Sequence, residues 1–466
     1  MPALPVIAIF DIGKTNKKLF LFNEAYQIVF ERSANYAETI DEDGDPCEEV
    51  NNIRLFVYDS LHQAFRNKNF DIKAINFAGY GASLVYINAE GITNAPLYNY
   101  IKPFPPELHN KFYEKYGGEE AFSKRTASPI LGNLNSGMQL YRIKYVNPKL
   151  FSDIKYALHL PQYLSYLITG QVYSDITSIG CHTNLWDFQQ NDYHHWVQEE
   201  EILEKMAPII SCTQTLPPVF AGGKYAVGVG LHDSSSALIP YLICFNEPFI
   251  LLSTGTWCIS LNPFNDTPLT THQLQNDCLS YLTFEGKPVK ASRIFAGNEH
   301  EQQVKRLAEH FKVDISAYKN IKYNAAVVTA LRQNDNLSSL HVNGDKVVKT
   351  SRFQQRNLHD FTNYEEAYHQ LITDIIHQQI FSTALVLDGS IVKNIYVDGG
   401  FGKNDLYMNL LADAFPTIGV HAASVAQATA VGAALCIHEA WNSKQLPSNL
   451  IELRSFSKTS SVVRGY

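Results

Sequence analysis

One pattern occurs twice in this chain, far apart. Ile7-Ala8-Ile9-Phe10-Asp11-Ile12-Gly13-Lys14-Thr15 and Phe249-Ile250-Leu251-Leu252-Ser253-Thr254-Gly255-Thr256 each run from an apolar segment through Asp or Ser to a Gly and a Thr. Each continues into a second apolar run, Leu19-Phe20-Leu21-Phe22 and Trp257-Cys258-Ile259-Ser260-Leu261. The spacing predicts a buried strand, a tight polar turn and a return strand, made twice. A turn with exposed amides, a Gly and a hydroxyl suits phosphate. Two such turns, one per half, predict a nucleotide clamped between two domains.

At 466 residues the chain exceeds what one core usually serves. Two domains are expected, 1–244 and 245–454, with a Ser-rich loose tail over 455–466. Net charge is -8, which does not advertise a nucleic-acid or membrane surface. No apolar run reaches the ~18 residues of a membrane span; Asn246 and Glu247 interrupt the best one. Asp11 breaks the N-terminal apolar run and no basic region precedes it, so a signal peptide is not expected. The cysteines number seven, scattered and without a C-x-x-C pair, which speaks against a disulfide framework or zinc site and for a reducing cytoplasm.

The remaining pattern alternates strands and helices, an α/β arrangement. Ile53, Phe56, Val57, Leu61 and Phe65 mark a helix face that Asn51 or Asn52 would cap. Residues 74–78 and 84–87 read as strands. From about 103 to 215 the text becomes irregular and aromatic, with helices expected near 134–146 and 160–169; this reads as an insertion that shapes a pocket. In the second half, Thr362 with Glu365 forms a capping box before a long apolar helix. The strand Ile395-Tyr396-Val397 runs into Asp398-Gly399-Gly400, ahead of a helix carrying Leu406, Leu410 and Leu411.

Gly13-Lys14-Thr15 has the ending of a Walker A loop, but that loop needs a Gly where Ala8 stands in mid-strand. The alternative is a phosphate hairpin. Asp11 would hold Mg²⁺ through water, Gly13, Lys14, Thr15 and Asn16 would touch the β- and γ-phosphates, and Lys14 would add positive charge there. Gly255-Thr256 is its partner turn. An ordinary hairpin accounts for either turn alone; the recurrence is what favours phosphate. Gly399-Gly400 at a strand end permits close approach of a ligand to the backbone. Gly230-Leu231-His232-Asp233-Ser234 precedes the second half. Asp233 suits a base that accepts a proton from an attacking hydroxyl, and equally a helix N-cap; both roles are compatible. His232 reads as a hydrogen-bonding neighbour. His194, His195 and His300 show no metal spacing. Tyr98 and Tyr100 suit either the face of a sugar ring or a hydrophobic core.

In this order the motifs resemble the FGGY family of carbohydrate kinases: Asp11-x-Gly-x-Thr15, His232-Asp233, Ser253-Thr-Gly255-Thr256, Gly399-Gly400-Phe-Gly-Lys-Asn404, and Gln427-Ala-Thr-Ala-Val-Gly432. Within it the rhamnulokinase-like branch is nearest, on Tyr80-Gly-Ala-Ser83, Pro96-Leu-Tyr98-Asn-Tyr100, Leu160-Pro-Gln162-Tyr-Leu, Asp175-Ile-Thr177-Ser178 and Ser253 to Trp257. The resemblance implies the two-domain actin-like ATPase (ribonuclease H-like) fold, a duplicated βββαβα core with a cleft between domains. It implies Asp233 as catalytic base, Asp11 near Mg²⁺, Thr15 and Thr256 near phosphate, and Gly399, Gly400 and Asn404 near adenosine. Ser83, Tyr98, Tyr100, His232 and Asp233 are the residues expected at the sugar.

The resemblance further implies ATP-dependent phosphorylation of a ketose or polyol at a terminal hydroxyl, in the cytoplasm, with a homodimer as one option and no nucleic-acid or membrane partner. The sugar side departs from the branch. Ser83 and Gln162 stand where Asp is usual, Ile101-Lys102-Pro103 replaces a basic Arg-Asp stretch, and residues 320–350 lack a Pro-, Gly- and Arg-rich segment. A sugar-binding pseudokinase on the same fold and an actin-like ATPase acting on protein partners are the rival readings.

Overall fold

Parity along the first strand of each half decides which residues face the middle of the molecule. In the first strand, β1 (Leu4–Ile12), Val6, Ala8, Phe10 and Ile12 pack into one core, while Ile7 and Ile9 pack into another. Asp11 shares the parity of Ile7 and Ile9, as strand geometry requires. The chain continues through β2 (Lys17–Asn23), β3 (Ile28–Ala34), α1 (Val50–Arg66) and β4 (Phe70–Gly79). After a long excursion that includes α2 (Leu160–Thr169), it returns through β5 (Ala226–Gly228), β6 (Leu231–His232) and α3 (Asp233–Cys244). The second half opens with β7 (Phe249–Thr254), β8 (Cys258–Asn262), β9 (Cys278–Leu282), β10 (Pro288–Ile294), α4 (Ala296–Phe311) and α5 (Tyr364–Leu387). It closes with β11 (Asn394–Gly399), α6 (Asp405–Ala414), β12 (Gly419–Ser424), α7 (Ala428–Cys436) and β13 (Glu452–Phe456). The structure is a computed structural model and describes residues 2–220, 223–334, 352–425 and 427–457.

Two seven-stranded sheets result. The order β3-β2-β1-β4 in the first matches β10-β8-β7-β11 in the second, with β9 added at the second sheet's outer edge. In both, the first strand lies antiparallel to its hairpin partner and parallel to the strand that returns after a helix. Helices α1 and α2 cover the outer face of the first sheet; α4, α5 and α6 cover that of the second. Between the sheets lie α3 and α7, sharing one core with Ile7, Ile9, Phe20, Phe249 and Leu251. The layers are therefore helix, sheet, helix pair, sheet, helix.

The two middle helices cross over. Tyr241 of α3 packs near Phe249 and Tyr396 of the second sheet, and its hydroxyl donates to Asp398 at 3.0 Å. Ala433 of α7 accepts a hydrogen bond from Asn76 of the first sheet at 2.8 Å. The helices touch where a Cβ on Gly432 would come within 1.8 Å of the Ser236 carbonyl oxygen. A Gly is required there for the backbones to meet.

Several local expectations are corrected. Helix α1 begins at Val50 with Glu49 as its cap, not Asn51 or Asn52. Asp233 is the first residue of α3 rather than its N-cap, because β6 carries extended backbone through His232. The box ahead of α5 shifts by one. Asn363 accepts from the Glu366 amide, and the Glu366 carboxylate accepts from Thr362, leaving Glu365 outside it. Ser455 and Phe456, assigned to a loose tail, finish β13 against β12; residues 458–466 lie outside the described residues, as do 335–350 of the 320–350 segment. The expected helices in the insertion appear as Ser136–Val146 and Leu160–Thr169. Around the first of them Phe112, Tyr141 and Trp196 build a separate aromatic core. All seven cysteines are free thiols. Among the described residues no helix is long and apolar enough to cross a membrane.

Candidate active site

Sheet register brings Asp11 and Asp233 to the same edge. Ala78, near the end of β4, pairs with Asp11 on one side and with Leu231 on the other. Asp233 follows two residues later as β6 becomes α3. The carboxyl ends of parallel strands are where ligands bind in such sheets. Asp11 is pushed up to about 7, first by burial and then by the charge of Asp233, with Lys18 opposing. Lys18 is its cross-strand neighbour in β2. The Asp233 side chain keeps 34% of its surface exposed, and its carboxylate accepts from the Ser234 amide at 2.5 Å. One carboxylate is thus recessed and the other open. A cation beside Asp11 would offset both the burial and the Asp233 charge that raise it, and one carboxylate with phosphate oxygens is a usual Mg²⁺ set, so the donors fit.

The first turn closes with Gly13 N donating to Asn16 O at 2.9 Å, leaving Lys14 and Thr15 at its tip. The Lys14 ammonium is not free. It pairs with Glu38 at 2.6 Å and Glu48 at 3.0 Å. Burial works against its charge, but these two carboxylates overcome that and hold it above the ordinary lysine range. The positive charge expected at the phosphates is therefore already matched within the turn's own surroundings.

The second turn closes with Gly255 N donating to Trp257 O at 2.8 Å. Thr254 ties it to the neighbouring strand end. Its hydroxyl donates to Asp398 O at 2.6 Å and accepts from Phe401 N at 3.0 Å. Gly399 adopts a φ of +91°, and a Cβ there would meet Thr254 O at 1.9 Å, so no other residue fits. Gly255, Gly400 and Asn404 line a cavity of about 560 Å³, together with His300, Tyr318 and Phe401. Thr256 is exposed at the turn's tip. Asn404 caps α6 and donates to the Tyr368 hydroxyl at 2.8 Å, which also meets His300 Nε2 at 3.0 Å. Burial pushes His300 down to about 4, so this wall is neutral and aromatic, suited to a base.

On the other side of Asp233, His232 is buried, with Nε2 2.9 Å from the Cys181 thiol and 3.3 Å from Asp233 Oδ1. Its ring stacks on Tyr281, brought from the second half, and burial holds it below the ordinary histidine range. Gly81 adjoins this group; a Cβ would approach His232 Nε2 to 2.9 Å. Tyr100 lies beside Tyr80, within electrostatic range of Lys14 and Asp233. Tyr98 is instead in the aromatic core, donating to Glu42 at 2.5 Å under the Arg142 guanidinium. Ser83 closes its own turn by donating to Tyr80 O at 2.7 Å. Gln162 donates to Gly230 O at 2.9 Å. The Lys102 ammonium is internal, held by Asp41, Asp43 and Asp45 at 2.5, 2.7 and 3.3 Å. Ser83, Gln162 and Lys102 are thus largely spent on internal contacts.

Sequence reasoning missed Lys17, Lys18, Glu48, His300, Tyr318 and Tyr281. The adjacent lysines were a readable signal, since alternation puts Lys18 on the face of Asp11. Nothing local flags the others.

Known proteins give the same organisation. Residues 6–229 match the N-terminal domain of the FGGY family of carbohydrate kinases, and 246–445 match "Carbohydrate kinase FGGY, C-terminal domain". A rhamnulokinase of Yersinia pestis is 23% identical over 403 residues, covering 82% of this chain and 78% of its own. A carbohydrate kinase from Novosphingobium aromaticivorans shares the fold with a TM-score of 0.79 at 22% identity, over 98% of this chain and 95% of that one. A xylulose kinase from Lactobacillus acidophilus does so with a TM-score of 0.77 at 15% identity, over 97% and 94%.

Proposed function

The chain belongs to the FGGY family of carbohydrate kinases, and we propose that it transfers the γ-phosphoryl group of ATP to a terminal hydroxyl of a small ketose or polyol. Rhamnulose, fuculose and xylulose are the sugars to try first, the first and last of them in keeping with the names of its relatives. The observation that carries this reading is the pair Asp11 and Asp233 at the end of β4, one recessed and one open.

Asp233, at the first turn of α3, accepts the proton of the attacking hydroxyl. His232 hydrogen-bonds beside it as a neutral imidazole, and Tyr100 borders the acceptor. Asp11 would hold a hydrated Mg²⁺, which when bound neutralises charge on the phosphate tail. The turns at Gly13–Asn16 and Gly255–Trp257 approach that tail from the two halves. Gly400, Asn404 and the neutral wall of His300 and Tyr318 receive adenosine. Closing the halves over α3 and α7 would exclude water from the transfer.

The test is a panel of ketoses and polyols with coupled ADP detection, run on the wild type and on Asp233→Asn. Sugar-dependent ADP release is expected from the wild type. In the variant it should fall roughly 10²- to 10⁴-fold while ATP binding survives. Full transfer by the variant removes Asp233 from the role of base.

A further inference from the structure

We propose that Lys17 is a positioning residue that aims the amides of the first turn at the phosphate tail, with Glu48 as its fixed counter-charge; this rests on the kinase reading above. The Lys17 side chain is only 1% exposed. Its ammonium donates to Gly13 O at 3.1 Å, Lys14 O at 2.9 Å and Glu48 Oε2 at 2.5 Å. That uses all three of its donors.

A trans peptide is planar, with its C=O and N–H on opposite edges. Pulling the carbonyls of Gly13 and Lys14 toward Lys17 therefore turns the N–H groups of Lys14 and Thr15 the other way. Neither N–H has a backbone acceptor among the described residues. Successive N–H groups turned to one side make an anion-binding concavity. The turn's affinity for phosphate then comes from these amides, and the Lys14 side chain, already paired with Glu38 and Glu48, is secondary.

A buried ammonium needs a fixed partner, and Glu48 is fixed three ways. Its other oxygen accepts from the Tyr80 hydroxyl at 2.6 Å and from Lys14 at 3.0 Å. Its short strand, Pro46–Glu48, pairs with Leu97–Tyr98. Lys17 sits on the opposite face of β2 from Lys18 by simple alternation. The two lysines thus serve different ends: Lys18 adds charge beside Asp11, and Lys17 sets backbone direction.

Removing one charge would strand the other, so the decisive variant is the double substitution K17M/E48M. Replacing a buried ion pair by apolar groups of similar size generally preserves folding. Calorimetric titration with adenosine and with MgATP is compared for the wild type, K17M/E48M and K17R. The double variant should fold and melt cooperatively, somewhat below the wild type because Tyr80 and Lys14 also lose Glu48, and keep its adenosine affinity. Its MgATP affinity should weaken roughly tenfold or more, the scale of lost hydrogen bonds to a charged group, and K17R should recover most of it. Unchanged MgATP affinity in the folded double variant overturns the proposal. So does an equal loss for adenosine and MgATP, which would mark a purely structural role. Wild-type protein that binds neither ligand overturns the kinase reading instead.

Discussion

The two hairpin turns share a strand–turn–strand plan, differ by one residue in length, and are held by different physics. The first is held by charge: Lys17 spans two of its carbonyls and rests on Glu48, and Lys18 faces Asp11. The second is held by close packing of bare backbone. A Cβ on Gly297 would stand 1.8 Å from Gly255 O, and one on Gly399 would stand 1.9 Å from Thr254 O. Asn298 N donates to Thr256 O at 3.1 Å, so the start of α4 grips the turn directly. At the position of Asp11 the second hairpin has Ser253, a neutral residue on the same inward parity. A duplicated element can keep its strand pairing while its charge is concentrated in one copy. That copy lies beside Asp233, where the chemistry is proposed.

The sharpest way to break this comparison is to exchange the paired positions. Asp11→Asn should lower kcat on the order of 10²- to 10³-fold, whereas Ser253→Ala should change it less than about tenfold; steady-state kinetics with a responsive sugar decides. Equal losses would mean that the copies share the charge work after all.

Packing is probed within the second turn. Gly297→Ala should destabilise the protein by about 3 kcal/mol, because backbone must move. Gly255→Ala, whose Cβ meets nothing nearer than 3.9 Å, should stay within about 1 kcal/mol; denaturant midpoints check both.

A smaller effect should follow pH. Asp11 is raised from 3.8 to about 7, so between those values the folded state keeps a proton that the unfolded chain has lost. Stability of the ligand-free protein therefore falls as pH rises through this window. Asp11→Asn should relieve the loss, melting above the wild type at pH 8 and close to it at pH 4. Thermal melts of both proteins at the two pH values test the sign. The smallest effect is expected for Lys14→Met. With its charge matched by Glu38 and Glu48, its loss should raise KM for ATP less than about threefold. A much larger rise would return Lys14 to the phosphates.

The hairpins were readable because an apolar run broken by a Gly-bearing polar turn is a local signal. Which way Asp11 and Ser253 face was not, since the runs before them are apolar on both parities and only the two cores tell them apart. The motif order carried the family. Tyr98 and Tyr100 show where local reading stops: two residues apart and chemically alike, one lies in the core of the insertion and the other beside the site. Their neighbours come from the 36–48 excursion and from the insertion helices, and no periodicity within 98–100 encodes those. Ser83 and Lys102 teach the same lesson, since their partners are a turn carbonyl and three aspartates that only folding brings near.

What the sequence by itself determined is the repeated strand–turn–strand unit and the order of motifs that places Asp233 between the halves. These depend on neighbours along the chain. Only the tertiary structure decided how each turn is held, that Asp11 and Asp233 meet across Ala78, and that Lys17 and Lys14 converge on Glu48. Such pairings depend on sheet register and on a distant strand, and the energy of a buried charge is set by what surrounds it in space.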